Sequence, residues 1–251
     1  MARLLLGVSA ELFALINLLA GDVDRYHLAD AYGCTGGHVS PMPDRMSDHW
    51  WWRPGVRPGR RLLVWHILPD DQPEVRDLVH RLQGRLTGLD GLDIIPAEWL
   101  HMTTQIVGFD DEIPADEAAA MVARAAARLA AIPPVEVQLG KVWMHSEAVM
   151  LGVRPPDGLH PIRQAIREAV AGTVSVHQLA DELAWTPHVS VAYSNADRPA
   201  QPVIEALDPR PEAVPMRVAQ IHLVAQQRVG RIYRWERRAV AKLGRSSAVR
   251  A

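Results

Sequence analysis

Residues 99–108 read WLHMTTQIVG and residues 186–192 read TPHVSVA, and the rest of the sequence is best understood from these two stretches. Each contains a histidine followed two positions later by a hydroxyl residue: His101 precedes Thr103, and His188 precedes Ser190. The apolar residues around them are typical of strands. Because residues i and i+2 of a strand point to the same face, each stretch presents an imidazole and a hydroxyl side by side.

Two such strands in facing lobes would line one cleft with two imidazoles and two hydroxyls. That set suits a phosphodiester, because a neutral histidine can take a proton from water while a cationic one protonates the leaving oxygen. Imidazole serves both duties, since its unperturbed pKa is about 6.5. The hydroxyls would donate hydrogen bonds to the phosphate oxygens as charge develops there.

The tripeptide alone is a weak signal, since about 0.7 copies are expected by chance from this composition. A third copy, His38-Val39-Ser40, lies between Gly37 and Pro41 without a strand pattern, and we interpret His38 as a loop residue. The other two copies differ from it in their flanking sequence and in their matching places along the chain.

Hydrophobic periodicity predicts a mixed order of strands and helices in which the second half repeats the first in outline. Strands are predicted at 62–68, 101–109, 135–144, 148–153, 188–193, 216–225 and 231–240, and helices at 72–86, 115–131, 159–171 and 203–207. Locally paired strands favour an α+β protein of two similar lobes over a parallel doubly wound sheet. No Walker loop or G-x-G-x-x-G sequence is present.

The two histidine stretches resemble the paired H-x-[ST]-x signatures of the 2H phosphoesterase superfamily, most closely its bacterial 2′-5′ RNA ligase branch. The resemblance extends over roughly 61–243. It implies a bilobal fold, with antiparallel sheets facing a central cleft and helices outside. It also implies hydrolysis of a 2′,3′-cyclic phosphate of RNA or a small nucleotide to a 2′-phosphate, with 2′-5′ ligation as the reverse reaction.

The same resemblance implies a role for each motif residue: His188 is the general base toward water, His101 is the general acid, and Thr103 and Ser190 hold the phosphate. It implies no metal and no cofactor. Two positions depart from the family pattern. Thr104 replaces an aliphatic residue and is expected to face away from the cleft. Tyr193 stands where some members have an arginine that meets the phosphate.

The missing cation is therefore expected from another part of the chain, and Arg228 and Arg231, at the turn of the last predicted hairpin, are the candidates. On the first predicted strand, Trp65 and His66 alternate, so one of them faces the cleft and could pack on a base. Trp50, Trp51 and Trp52 lie among several arginines and could stack bases. We favour the alternative, in which these indoles cap the core of the first lobe.

We divide the chain into an N-terminal extension (1–45), a 2H phosphoesterase-like domain (46–245) and a short tail (246–251). The apolar stretch at 4–20 is interrupted by Glu11 and Asn17 and is too short to span a bilayer, so we interpret it as an amphipathic helix. No targeting segment is recognised, and we expect a cytoplasmic protein with no membrane partner. Met46 is an alternative start.

The composition is that of a globular protein, with 48% hydrophobic residues and a net charge of −2. The single cysteine, Cys34, excludes an internal disulfide. Asp24, His27, Cys34 and His38 are possible metal ligands, but their irregular spacing predicts no zinc site. The basic C-terminal region is interpreted as a solvated surface. We expect a monomer whose partner is an RNA end or a nucleotide.

Two other functions fit the same residues. The chain could be a nucleotide- or RNA-binding module without turnover, which Tyr193 mildly favours and the intact histidines disfavour. It could also be a phosphodiesterase of cyclic oligonucleotide signals, which the sequence does not distinguish from the first hypothesis.

Overall fold

The computed structural model describes residues 42–175 and 185–244, and within these ranges the chain forms antiparallel sheets with helices packed against them. The strands are β1 (Arg45–Met46), β2 (Leu62–Ile67), β3 (Leu92–Ile94), β4 (Met102–Phe109), β5 (Val135–His145), β6 (Ala148–Arg154), β7 (His188–Ser194), β8 (Arg198–Pro199), β9 (Val214–Val218), β10 (Gln220–Arg228) and β11 (Tyr233–Lys242). The helices are α1 (Pro73–Leu86), α2 (Ala115–Leu129), α3 (His160–Ala171) and α4 (Gln201–Ala206), with a 3₁₀ turn at Ala97–Trp99.

Two large sheets organise these elements. Sheet one has four strands in the order β11–β10–β2–β4, and sheet two has five in the order β3–β7–β6–β5–β9. All neighbouring strands are antiparallel. The predicted α+β class with antiparallel sheets is confirmed.

The helices form where apolar residues recur at helical spacing, as the sequence indicates. Helix α1 starts at Pro73, whose fixed φ suits the first helical turn, and it buries one apolar stripe. That stripe consists of Val75, Leu78, Val79, Leu82 and Leu86. Helix α2 buries Met121, Ala125 and Leu129 in the same way, at intervals of four residues.

Two of the helices cross between the sheets: each packs on a different sheet from the one that contains the strand before it in the chain. Helix α1 follows β2 of sheet one but contacts β7 and β9 of sheet two. Helix α3 connects β6 to β7 of sheet two, yet it packs on α2 and contacts β4 of sheet one. Strands β4 and β7 contact each other directly. The two sheets are therefore held together by crossed helices as well as by their own strands.

Two details of the predicted strand order are wrong. The stretch 216–225 was expected as one strand, but it contributes to two: β9 belongs to sheet two and β10 to sheet one, and the chain changes sheet at Ala219. The apolar alternation runs on through this residue, so the pattern does not mark the change. The lobes are also not successive halves, because sheet one combines strands from both ends of the domain.

The folded part begins before Met46. Arg45 pairs with Pro199 and Met46 with Arg198, and the Ala200 amide donates to the Asp44 carbonyl. The boundary expected at residue 45 thus falls inside a pairing of strands. The helix predicted near 4–19, His38 and the tail at 246–251 lie outside the described residues. In the described ranges, no helix is long and apolar enough to cross a membrane.

Candidate active site

His101 stands immediately before β4, and the local backbone fixes its tautomer. The 3₁₀ turn ending at Trp99 places that residue's carbonyl 2.9 Å from Nδ1 of His101. A carbonyl oxygen only accepts hydrogen bonds, so Nδ1 carries the proton and donates. In the neutral ring, Nε2 is then the nitrogen with a lone pair.

His188 is the first residue of β7 and is held by the same device. Its Nδ1 lies 2.7 Å from the carbonyl of Thr186 and donates to it, again leaving Nε2 as the unprotonated nitrogen of the neutral ring. In each stretch the acceptor is the carbonyl two residues before the histidine. The backbone before each strand therefore fixes the same tautomer in the two imidazoles.

The structure brings the two histidine stretches together. Strand β4 contacts β7, and the indole Nε1 of Trp185 donates to the carbonyl of Thr103 at 3.2 Å. His101 and His188 are close enough that a charge on His188 lowers the pKa of His101. Thr103 is half-buried on β4, and Ser190 is buried on β7.

Burial dominates the electrostatics of both histidines. It lowers the pKa of His101 to about 4, and the nearby His188 lowers it further, against the hydrogen bond to Trp99. Burial also lowers the pKa of His188, and His145 acts in the same direction. Both rings are therefore neutral at neutral pH unless an anion bound beside them favours the charged form.

A β-bulge turns Tyr193 toward the face that carries the histidine. Ser190 pairs with Met150 and Tyr193 with Ala148, so one residue between them is extra. Since Met150 and Ala148 share a face of β6, Ser190 and Tyr193 share the corresponding face of β7. The Ser190 hydroxyl lies beside that of Tyr193, and burial raises the pKa of Tyr193 well above its usual value.

The same face of sheet two carries three large side chains that the sequence analysis did not single out. Lys141 lies in the cross-strand row of Gly152 and His188, and Trp143 and His145 follow at every second residue of β5. The Trp143 ring meets the His188 ring edge-on, with centroids 5.5 Å apart. Gly152 makes room for this contact, because a Cβ there would lie 3.2 Å from the Trp143 indole nitrogen.

On sheet one, His101 is surrounded by aromatic rings. His66 lies 4.5 Å from it and Trp235 5.0 Å, measured between ring centroids. Trp99 packs edge-on against Trp235 at 4.9 Å. The Nε2 of His66 donates to Oε1 of Gln226 at 2.8 Å, and burial holds the pKa of His66 well below its usual value.

The prediction that Trp65 or His66 packs on a base is not supported. Trp65 is 0% exposed and belongs to the main apolar core, on the face of β2 opposite His66. His66 is also fully buried and touches His101. The exposed parts of the aromatic wall come instead from Trp99 and Trp235, which are only partly buried.

A shallow cavity that is open to solvent lies beside His101. Its lining includes Trp99, Tyr193, Arg231 and Tyr233. Of the two predicted substitute cations, Arg231 therefore lies at this cavity. Arg228 does not: its guanidinium donates to the carbonyl of Trp50 and lines a second, larger open cavity. Tyr233 lines both cavities.

Residues 48–53, which we call the bridging segment, join the two sheets. The Trp50 indole donates to Asp93 of β3 at 2.7 Å, and its ring contacts Tyr193 of β7 and Tyr233 of β11. His49 stacks on Tyr193, with ring centroids 4.1 Å apart. The predicted capping of the first lobe therefore needs correction: only Trp50 is buried, and it contacts both sheets.

A buried charge network fixes the bridging segment from the side of sheet two. The carboxylate of Glu147, at the turn between β5 and β6, accepts from Nδ1 of His49 at 3.0 Å, from Arg53 at 2.9 Å and from the Trp51 indole at 3.0 Å. Nε2 of His49 is then the acceptor for the Tyr233 hydroxyl, 3.0 Å away. This chain of hydrogen bonds runs from sheet two to sheet one.

Possible metal ligands do not converge in the part of the chain that the structure describes. No three His, Cys, Asp or Glu side chains there are grouped to hold an ion. The four residues considered for zinc from the sequence lie outside the described ranges. The chemical groups of this region are thus the two imidazoles and two hydroxyls at β4 and β7, with Arg231 and aromatic rings beside His101.

One family of known sequences matches this chain. A sequence model of the 2′-5′ RNA ligase superfamily matches residues 69–230, which include both histidine stretches. The bridging segment, β2 and all of β11 lie outside the match. None of the curated proteins matches the chain.

Solved structures share the fold. E. coli LigT in apo form aligns with a TM-score of 0.54 and 18% identity, over 74% of this chain and 99% of that one. E. coli LigT complexed with 3′-AMP gives 0.56 and 19%, over 74% and 99%. The Thermus thermophilus protein TT0787 gives 0.56 and 16%, over 73% and 98%. At these identities, the likeness establishes the architecture.

Proposed function

The chain belongs to the 2′-5′ RNA ligase superfamily, and from this membership and its paired histidines we propose that it opens 2′,3′-cyclic phosphates without a metal. The family makes it an enzyme of the phosphoesterase kind. The substrate proposed is a 2′,3′-cyclic phosphate at an RNA end or on a small nucleotide. The product is a 2′-phosphomonoester. With a 5′-hydroxyl in place of water as the nucleophile, the same site would form a 2′-5′ linkage to the cyclic phosphate end and release the 3′-hydroxyl.

The observation that carries the proposal is the matched hydrogen bonding of the two rings. Because Nδ1 donates to a backbone carbonyl in both histidines, proton transfer falls to Nε2 in both. Nε2 of His188 takes a proton from water as the water oxygen bonds to phosphorus. The bond from phosphorus to the 3′-oxygen breaks, and protonated Nε2 of His101 gives its proton to that oxygen.

Substrate binding supplies the charge state that this mechanism needs. In the unliganded chain the pKa of His101 is about 4, so the acid is largely absent at neutral pH. A cyclic phosphate carries a negative charge, which raises the pKa of a neighbouring imidazole. Thr103 and Ser190 donate to the phosphate oxygens, and Arg231 adds a positive charge from the cavity wall.

The shallow cavity beside His101 presents aromatic side chains to a nucleoside bound over it. Its aromatic side chains, Trp99, Tyr193 and Tyr233, offer surfaces for a base or ribose, and Trp235 backs this wall. That E. coli LigT has been crystallised with 3′-AMP supports a nucleotide with phosphate on the ribose as the ligand. No comparable support favours a non-nucleotide phosphodiester.

A substrate panel tests the proposal. We would incubate the full chain with 2′,3′-cyclic mononucleotides, with RNA ending in a 2′,3′-cyclic phosphate and with cyclic dinucleotides, each with and without EDTA. Cyclic phosphate hydrolysis to a 2′-phosphate, unchanged by EDTA, is the expected result. Turnover of cyclic dinucleotides alone would favour a signalling phosphodiesterase. Tight binding without turnover of any substrate would favour the non-catalytic binding module.

A further inference from the structure

The exposed apolar side chains of the described residues are concentrated in one place. Of the four large ones that are exposed in these ranges, three lie near Arg228: Trp51 (37% exposed), Trp52 (50%) and Val229 (41%). Trp52 lies under the guanidinium of Arg228, which is 4.1 Å from the ring centroid, and Val229 follows Arg228 in the chain. We call Trp51, Trp52, Arg228 and Val229 the Trp–Arg patch.

Arg228 brings a positive charge to this patch. Its guanidinium is held by the carbonyls of Trp50 and Gly230, and it forms no ion pair with any carboxylate in the described ranges. Asp48 acts on it only at longer range. By contrast, Arg53 is paired with Glu147, and Arg60 with Asp111 and Glu112. The charge of Arg228 is thus available to an anion.

The patch adjoins the site through a shared side chain. Trp51 and Arg228 line the larger open cavity together with Tyr233, and Tyr233 also lines the smaller cavity beside His101. Gln226 lines the larger cavity and bonds to His66, which packs on His101. A ligand that fills the smaller cavity and is longer than one nucleotide therefore has an adjacent aromatic and basic surface to follow.

We propose that the Trp–Arg patch binds the nucleotide preceding the reacting one in single-stranded RNA, with its base on Trp52 and its phosphate at Arg228. This inference rests on the proposed function, because a cyclic phosphate occupies the 3′ end of a strand. The RNA chain then continues from the 5′-oxygen of the terminal nucleoside. The phosphate attached there and the base of the preceding nucleotide must therefore lie outside the cavity beside His101. Aromatic stacking combined with arginine is how proteins bind single strands without reading their sequence.

The test compares two substrates that differ only in length. We would measure kcat/KM for 2′,3′-cyclic AMP and for a five-nucleotide RNA ending in a 2′,3′-cyclic phosphate on adenosine. The unsubstituted chain should prefer the longer substrate. Trp52→Leu should lower the ratio of long to short substrate by about 5- to 100-fold, the range expected for one lost base stack. Trp52→Phe keeps an aromatic face and should retain most of the ratio.

The charge is tested separately. Arg228→Gln should lower the slope of log KM against log salt for the five-nucleotide substrate by about 0.7, the value for one phosphate contact on a single strand. Arg76→Gln, which removes an exposed arginine from α1, should leave that slope unchanged. Thermal melting of each variant identifies a loss caused by unfolding.

Direct binding distinguishes failure of this inference from failure of the proposed function. Binding of a fluorescent five-nucleotide RNA with a 3′-phosphate is followed by anisotropy. If the chain hydrolyses neither substrate yet binds this RNA through Trp52, the proposed function is wrong and the patch stands. Equal kcat/KM for both substrates would contradict the proposed role of the Trp–Arg patch. An equal ratio of long to short substrate in Trp52→Leu and Trp52→Phe would contradict it as well. So would binding of Trp52 to anionic lipid vesicles with no binding of RNA.

Discussion

Tyr193, five residues after His188, illustrates how one extra residue changes what a side chain can do. Simple alternation along β7 would put it on the face opposite His188. The β-bulge before Tyr193 places it on the same face as His188 instead. Its hydroxyl therefore lies beside Ser190, and its ring lines the cavity beside His101. A residue that departs from the family pattern therefore lines the cavity beside His101, although it carries no charge.

The two histidines give the most direct prediction at this scale. His101→Ala and His188→Ala should each lower kcat for the cyclic phosphate by about 10²–10⁴-fold, the loss expected for a missing general acid or base. Thr103→Ala and Ser190→Ala should cost less, because other donors still reach the phosphate. His80→Ala, on the exposed face of α1, is the matched control. Full activity of either histidine variant would rule out this assignment.

The pH dependence follows from the lowered pKa values of both rings. The active form has one proton on the pair, and it is most abundant between the two apparent pKa values. Because burial lowers both below 6.5, and that of His101 to about 4, the maximum of kcat/KM should lie on the acid side of pH 6.5. Steady-state kinetics from pH 4 to 8 measure it. An optimum above pH 7 would contradict the assignment.

At the scale of single elements, the sequence predicts the long helices and strands well and their partners poorly. The periodicity of α1 and the His-x-Thr and His-x-Ser strands could be recognised because they depend on local spacing. The role of β5 could not, although Lys141, Trp143 and His145 alternate visibly. Nothing local shows that β6, with Gly152 and Ala148, lies between them and β7, leaving space for their side chains.

Gly152 tests that arrangement. Gly152→Ala places a Cβ 3.2 Å from the nitrogen of the Trp143 indole, so this ring, which packs edge-on against His188, must shift by a few tenths of an ångström. Overpacking of this kind costs about 1–3 kcal/mol of unfolding free energy, and kcat/KM should fall as well. Gly84→Ala, in α1 with open space around the new Cβ, should instead stabilise the chain by about 0.5–1 kcal/mol. Urea denaturation of both variants would show whether the first substitution lowers the unfolding free energy and the second raises it.

For the whole molecule, the bridging segment is the feature that was least predictable from the sequence. Three consecutive tryptophans look alike in a sequence, yet Trp50 is buried between the sheets and Trp52 is half exposed. The difference arises from Tyr193 and Tyr233, which lie far apart in the chain on different sheets and meet only in the folded protein. Long-range contacts of this kind cannot be deduced from local pattern.

Two shortened chains distinguish the contribution of the bridging segment to folding from that of the N-terminal extension. A chain beginning at Met42 keeps the pairing of Asp44 and Arg45 and should retain its melting temperature and activity. A chain beginning at Pro58 loses Trp50 and the Glu147 network, and its unfolding free energy should fall by about 3 kcal/mol or more. Melting curves and cyclic phosphate turnover for both chains decide this. A stable, active chain from Pro58 would show that the sheets need no bridge.

The strand order of sheet one also sets when the protein can fold during synthesis. Strand β2 lies between β4 and β10, and β10 is made only after all of sheet two. Until then one edge of β2, the apolar stretch LLVWHI, has no partner for its backbone amides and carbonyls. Sheet one can therefore be completed only when nearly the whole domain has been synthesised. Until then the unpaired apolar edge of β2 can pair with another chain, so the incomplete chain is open to aggregation.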